Sequence, residues 1–88
     1  MNGEAHMSDD DWAELAKGIL KAELKRRGLT YKDLADRLGS LGIKENERNL
    51  TNKISRGSFT AAFLLQCLAA VGCHTLRLDD LPQPVVPV

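Results

Sequence analysis

The chain has 88 residues, of which 43% are hydrophobic, and its 12 basic and 12 acidic side chains give a formal net charge of zero. This length suits one small domain, and this composition excludes a disordered chain. Two cysteines are too few for a disulfide framework, and the longest apolar run, residues 61–71, is shorter than the roughly 18 residues of a membrane span. We therefore expect a soluble domain of a reducing compartment, the bacterial cytoplasm, with no membrane partner.

Charge is distributed unevenly along the chain. All 12 basic residues lie between Trp12 and Arg77, and only six acidic residues share that span, so this body carries +6. A basic body favours an anionic partner, although solvated helix faces produce the same count. We predict one domain over residues 8–78, preceded by a disordered start or cloning remnant at residues 1–7 and followed by an extended proline-rich tail at residues 79–88.

The first predicted helix begins at Ser8 and ends at Gly28. Ser8 and Asp11 have the spacing of a capping box, and the aspartates that follow Ser8 complement the exposed N–H groups of a helix N-terminus. Apolar residues at helical spacing define the expected inward face: Trp12, Leu15, Ala16, Ile19, Leu20 and Leu24. A ladder of lysines occupies another face: Lys17, Lys21 and Lys25.

A second helix is predicted to begin at Thr30, which forms a capping box with Asp33. Gly39 or Gly42 is expected to end it, and Ile43 to pack back into the core. The residues expected to face inward are Leu34, Ala35, Leu38 and Leu41.

A third, short helix is predicted from Asn46 to Ser55, with Gly57 as its stop. Leu50 and Ile54 are four residues apart and form its buried face. The outward face then carries Arg48, Asn49, Asn52, Lys53 and Arg56. Arginine, asparagine and lysine are side chains that contact base edges in the major groove of DNA. Asparagine is a poor helix former, so two asparagines on the exposed face indicate either a function or a role in a cap or turn.

The fourth predicted helix, from about residue 60 to residue 71, is apolar nearly all round, with Gln66 as its polar exception. Such a helix must be covered on all sides, either as the centre of the core or by another subunit. Residues 74–78 alternate in the manner of a short strand. The expected oligomer interface comprises Phe63, Leu65, Leu68, Leu76 and Leu78.

The order of these segments resembles the Xre-type, λ-repressor-like helix-turn-helix domains over residues 24–78. TYKDLADRLG resembles their first motif helix, with Ala35 and Gly39 at the small-residue and turn-glycine positions. NLTNKISRG resembles the recognition helix, and LLQCLAAVG resembles the apolar helix that follows it. The chain also resembles a group of small bacterial proteins of this plan that have no assigned function. The resemblance implies an all-α fold of four to five helices with a short C-terminal strand or extended tail.

By the same resemblance, the partner is double-stranded DNA, bound by a homodimer or higher homo-oligomer. The implied groove contacts are Arg48, Asn49, Asn52 and Lys53, and the implied phosphate contacts are Thr30, Tyr31, Lys32 and Arg56. One departure is the connection GSLGIKEN, which exceeds the motif's usual turn of about three to four residues. A longer connection changes the angle at which the third helix leaves the body.

We therefore expect a sequence-specific DNA-binding protein that acts as a small transcriptional regulator. The alternative is a protein-interaction or assembly module on the same fold, antitoxin-like or an adaptor subunit. An enzyme is not expected: Cys73 and His74 are adjacent and point to opposite faces of a strand, and the sequence has no glycine-rich phosphate loop. No metal site, catalytic residue or cofactor is predicted, and Cys67 is expected to be a core residue.

Overall fold

The computed structural model describes residues 8–77, which form four helices joined by short connections. These are α1 (Asp9–Arg26), α2 (Tyr31–Ser40), α3 (Glu47–Arg56) and α4 (Ala61–Ala70). The all-α prediction is confirmed. The strand predicted from residue 74 is wrong for residues 74–77, because a strand needs a neighbouring strand for its ladder and residues 8–77 contain none. Leu78, the start at residues 1–7 and the tail at residues 79–88 lie outside the described residues.

The helix ends follow the local signals of the sequence. Each helix is preceded by a residue whose side chain accepts a hydrogen bond from the backbone N–H three residues on; these are Ser8, Thr30, Asn46 and Thr60. The backbone N–H of Thr30 also donates to the Asp33 carboxylate at 2.9 Å and, with the Thr30 side chain, lowers the pKa of that carboxyl group. Of the two glycines expected to end α2, Gly42 is the one that does so, two residues after Ser40.

One apolar core lies among the four helices, with α3 and α4 each packed against α1 and α2. Every helix contributes to it, and its buried members are Leu20, Leu24, Leu34, Leu38, Leu50, Ile54, Phe63, Cys67, Leu68 and Val71. Ile43, from the connection between α2 and α3, packs against this core as predicted. Because Leu50 and Ile54 have no exposed surface, the rotation of α3 about its own axis is fixed.

Two residues expected to face inward do not. Trp12 is 46% exposed, because it precedes the buried Leu20 by eight residues, which places its side chain about 80° away around α1. Leu41 is 54% exposed at the C-terminal cap of α2, where the chain turns away from the helix. The buried line of α1 therefore runs through Leu20 and Leu24, and the side of α1 that carries Trp12 remains partly open.

Candidate nucleic-acid interface

The candidate site is the outward face of α3. At about 100° per residue, Asn52 lies roughly opposite the midpoint of Leu50 and Ile54, the two residues that anchor this helix to the core. Arg48 and Arg56 lie one turn to either side of Asn52 along the helix. All three residues are exposed, as is Asn49.

The side chains of this face are available to a partner. Among residues 8–77, Arg48, Asn52 and Arg56 have no ion-pair or hydrogen-bond partner for their side chains. A shallow depression lined by Asn46, Glu47, Arg48, Thr51 and Asn52 opens beside them. The amide of Asn46 is used structurally, because its oxygen accepts the backbone N–H of Asn49 at 2.8 Å. The side-chain amides of Asn49 and Asn52, the other two asparagines of this segment, do not cap the helix.

Lys53 is placed differently from the other predicted groove residues. Its ammonium group lies 2.5 Å from a carboxylate oxygen of Glu45 and 4.9 Å from the centroid of the Phe63 ring. The Glu45 side chain is only 9% exposed and the Lys53 side chain is 46% exposed, so the ion pair is buried on the carboxylate side alone. Lys53 therefore ties α3 to the preceding connection and to α4 instead of extending beside Arg48 and Asn52. Sequence reasoning missed this role, because no local rule pairs residues eight positions apart.

The predicted phosphate contacts at the start of α2 have separate surroundings. Thr30 uses its hydroxyl group to cap α2, and the Lys32 ammonium lies 3.6 Å from the Asp36 carboxylate at the surface. Tyr31 lines a shallow groove with Lys21 and Lys25 of α1. The lysine ladder of α1 thus adds two cations beside Tyr31 that sequence reasoning did not include in the site, although their four-residue spacing was visible.

A cleft of about 280 Å³ lies between α3 and α4. It is lined by two cations, two hydroxyl groups and two aromatic rings: Lys53, Arg56, Ser58, Phe59, Thr60 and Phe63. The first turn of α4 contains no acidic residue, so nothing in that turn opposes an anion near its exposed N–H groups. Of these residues, only Arg56 was predicted to contact a phosphate. Ser58 and Thr60 escaped prediction because the sequence does not show that the connection after α3 forms a cleft with Lys53 and Phe63.

The back of α3 rests directly on α1. A methyl group added to Gly57, which ends α3 with φ of +71°, would lie 2.9 Å from the carbonyl oxygen of Ala13. The ammonium group of Lys17 donates a hydrogen bond to the Ser55 carbonyl at 3.2 Å, which satisfies one of the last carbonyls of α3. These contacts, together with the buried Leu50 and Ile54, give α3 a defined position on the domain.

The residues expected at an oligomer interface are dispersed. Phe63 and Leu68 are buried in the core of the single chain, with 6% and 4% of their surface exposed. Leu65 on α4 is 64% exposed and Leu76 is 42% exposed. Only these two of the described four present surface to another molecule.

Both cysteines are free thiols in environments that differ. Cys67 has no exposed surface, and its burial, followed by the nearby Glu45 carboxylate, raises the pKa of its thiol to about 12. Cys73 is half-buried and its thiol donates a hydrogen bond to the Thr75 carbonyl at 3.3 Å. The prediction that Cys67 is a core residue is confirmed.

These environments predict selective labelling. At pH 8, iodoacetamide is expected to modify Cys73 of the folded protein and to reach Cys67 only after denaturation, because the thiolate is the reactive form. Since the Cys67 pKa is raised on folding, its thiol contributes stability below the unfolded pKa, and this contribution is lost as pH rises towards about 12. Mass spectrometry of a Cys73→Ser variant provides the control, and rapid native labelling of that variant would contradict the prediction.

The described residues hold no group of three or more side chains suited to bind a metal ion. None of the helices in that part of the chain has both the length and the hydropathy to cross a membrane.

Comparison with known proteins gives a family and no function. Residues 12–76 match the family described as a domain of unknown function, DUF6471. No curated protein and no solved structure matches the chain. The match agrees with the predicted resemblance to proteins of unassigned function. It does not test the predicted resemblance to Xre-type helix-turn-helix domains. Because the match spans well over half of the sequence, the chain belongs to the DUF6471 family.

Proposed function

We propose that this protein binds double-stranded DNA through the outward face of α3 and acts in the cytoplasm as a small transcriptional regulator of the λ-repressor-like type. The observation that carries the proposal is the set of exposed side chains at Arg48, Asn49, Asn52 and Arg56, which the described chain leaves without structural partners. Arginine pairs with guanine and asparagine with adenine through two hydrogen bonds each. Asparagine lowers helix stability, so its presence at two exposed positions calls for a use outside the fold.

Electrostatics of the surrounding surface supports the same face. The body between Trp12 and Arg77 carries +6, which attracts a polyanion at long range. Arg56 stands at the edge of the cleft between α3 and α4, where the N-terminus of α4 and the Ser58 hydroxyl suit a backbone phosphate. A phosphate contact at this place would fix the register of α3 on the duplex.

The long connection between α2 and α3 is compatible with groove docking because it is anchored at two points. Ile43 packs on the core, and Glu45 pairs with Lys53. The connection is therefore a fixed part of the domain, and α3 leaves it at a defined angle. We propose that a homodimer presents two such helices to half-sites about 34 Å apart.

Binding is expected to be salt-dependent. Each phosphate contact contributes about −0.9 to the slope of the logarithm of the association constant against the logarithm of the salt concentration. Fluorescence anisotropy with labelled random and genomic duplexes, from 50 to 300 mM salt, measures this slope. Arg56→Ala is expected to reduce its magnitude by about one and to weaken all sequences similarly.

The alternative function, a protein-interaction or assembly module, rests on α4. This helix carries no charged residue, and Leu65 in its middle is 64% exposed. If α3 is merely a solvated face, duplex binding will be weaker than about 10⁻⁴ M near physiological salt, below ordinary non-specific attachment. That result would reject the DNA proposal and leave the interaction module.

A further inference from the structure

A groove lies along the open side of α1, and its lining combines apolar residues with the charged residues Glu14, Glu23, Arg26 and Arg77. Leu15, Ile19 and Ala22 line the groove on α1, and Leu76 lines it from the segment that follows α4. Its volume is about 510 Å³. Trp12 continues the same side of α1 towards the helix N-terminus and is 46% exposed. This surface plays no part in the face proposed for DNA.

Gly18 lines the edge of this surface, and nothing in residues 8–77 explains a glycine there. Its φ is not positive, and a methyl group added to it would meet no atom of residues 8–77 within 4 Å. Glycine destabilises a helix interior relative to alanine, so neither backbone geometry nor packing within residues 8–77 accounts for it. A second helix that approaches α1 closely does account for it, because the absence of a side chain lets two helix backbones come near each other.

The spacing along this side is that of a helix–helix seam. Trp12, Leu15, Ile19, Ala22 and Arg26 alternate at intervals of three and four residues, as do the a and d positions of a coiled coil. The surface thus presents the pattern of one half of a helix pair over the length of α1.

The charges at the two ends of α1 favour a second, antiparallel copy of α1 as the partner helix. The first turn of α1 carries Asp9, Asp10 and Asp11, and its last turn carries Lys25 and Arg26. An antiparallel second copy of α1 sets the acidic end of each helix against the basic end of the other, whereas a parallel copy sets like charges together. With the two-fold axis near Ile19, Trp12 lies opposite Arg26 of the partner subunit, where a cation–π contact would compete with the ion pair between Arg26 and Glu23 within each chain.

We propose that two copies of this chain associate through antiparallel α1 helices, packed along the side that carries Trp12, Leu15 and Ile19, with Gly18 at the edge of the contact. This proposal shares with the proposed function only the expectation of a dimer, and its test contains no DNA. Failure of the dimer would leave the DNA-binding face of α3 open to its own test.

The decisive variant is Gly18→Leu, because it separates folding from association. Leucine is a better helix former than glycine, so the variant is expected to unfold at the same or a higher temperature. Its side chain blocks the close approach of a second α1, so the dimer is expected to weaken at least about tenfold. Gly39→Leu is the matched control, since Gly39 is also helical, exposed and free of neighbours within 4 Å but lies on α2.

Sedimentation velocity from 5 to 500 μM, at low and high salt, gives the masses. The wild-type chain and Gly39→Leu are expected to approach twice 9.7 kDa, and Gly18→Leu and Trp12→Ala to reach the same mean mass only at concentrations at least about tenfold higher. A monomeric wild type at 500 μM would overturn the proposal. So would a Gly18→Leu variant that dimerises like the wild type, or a Gly39→Leu variant that loses the dimer equally.

Discussion

Replacement of Gly57 with alanine is expected to destabilise the protein by about 2–5 kcal/mol, the sum of a left-handed backbone penalty and an overpacking penalty. The backbone penalty arises because φ at Gly57 is +71°. The overpacking penalty arises because the new methyl group would lie 2.9 Å from the Ala13 carbonyl oxygen, which is backbone and cannot rotate away. Urea denaturation followed by circular dichroism measures the loss.

Gly42→Ala is the matched control for this prediction. Its φ is +80°, yet an added methyl group meets nothing within 4 Å, so only the backbone penalty of about 1–2 kcal/mol applies. The difference between the two variants isolates the contact of α3 with α1. Equal losses at Gly57 and Gly42 would show that this contact does not hold α3 in place.

The triple variant Arg48→Ala, Asn49→Ala and Asn52→Ala is expected to lose about 100-fold or more in affinity for a preferred duplex site. Each lost base contact costs roughly 1–3 kcal/mol. Stability should change little, because all three side chains are exposed. Lys53 is left intact, since its removal would leave the Glu45 carboxylate without its partner and destabilise the fold. Anisotropy titrations against the selected site and against random duplex measure both affinities.

Arg48→Lys separates charge from base reading. Lysine keeps the positive charge but lacks the planar fork that pairs with guanine, so affinity for random duplex should persist while discrimination falls. A triple variant that binds the selected site as tightly as the wild type would remove α3 from the interface, and the interaction module would then be the better hypothesis.

Most of the fold could be predicted from rules that act over a few neighbouring residues. The capping boxes at Ser8 and Thr30 and the spacing of Leu50 and Ile54 each act within a few residues, and the structure agrees with all of them. The buried line of α1 was harder to place, because its apolar residues extend around more than one side. Trp12 therefore fits the apolar helical spacing of α1, although its side chain is not buried in the core.

The site was predictable in part for the same reason. The outward direction of Arg48 and Asn52 follows from two buried neighbours on the same helix. The pairing of Lys53 with Glu45 and its approach to Phe63 depend on how three elements meet, which no short stretch of sequence encodes. The cleft beside Arg56 has the same origin, and its hydroxyl groups remained undetected.

The close approach of Gly57 to Ala13 would have a thermodynamic consequence for the DNA-binding dimer that we propose. The backbone of Gly57 lies close to the Ala13 carbonyl group, so we expect a displacement of one helix to be transmitted to the other. Subunits joined along α1 would therefore set the tilt of each α3, and DNA that prefers one tilt would favour one state of the subunit contact. Reciprocity then requires that the factor by which dimer formation tightens DNA binding equal the factor by which DNA tightens the dimer.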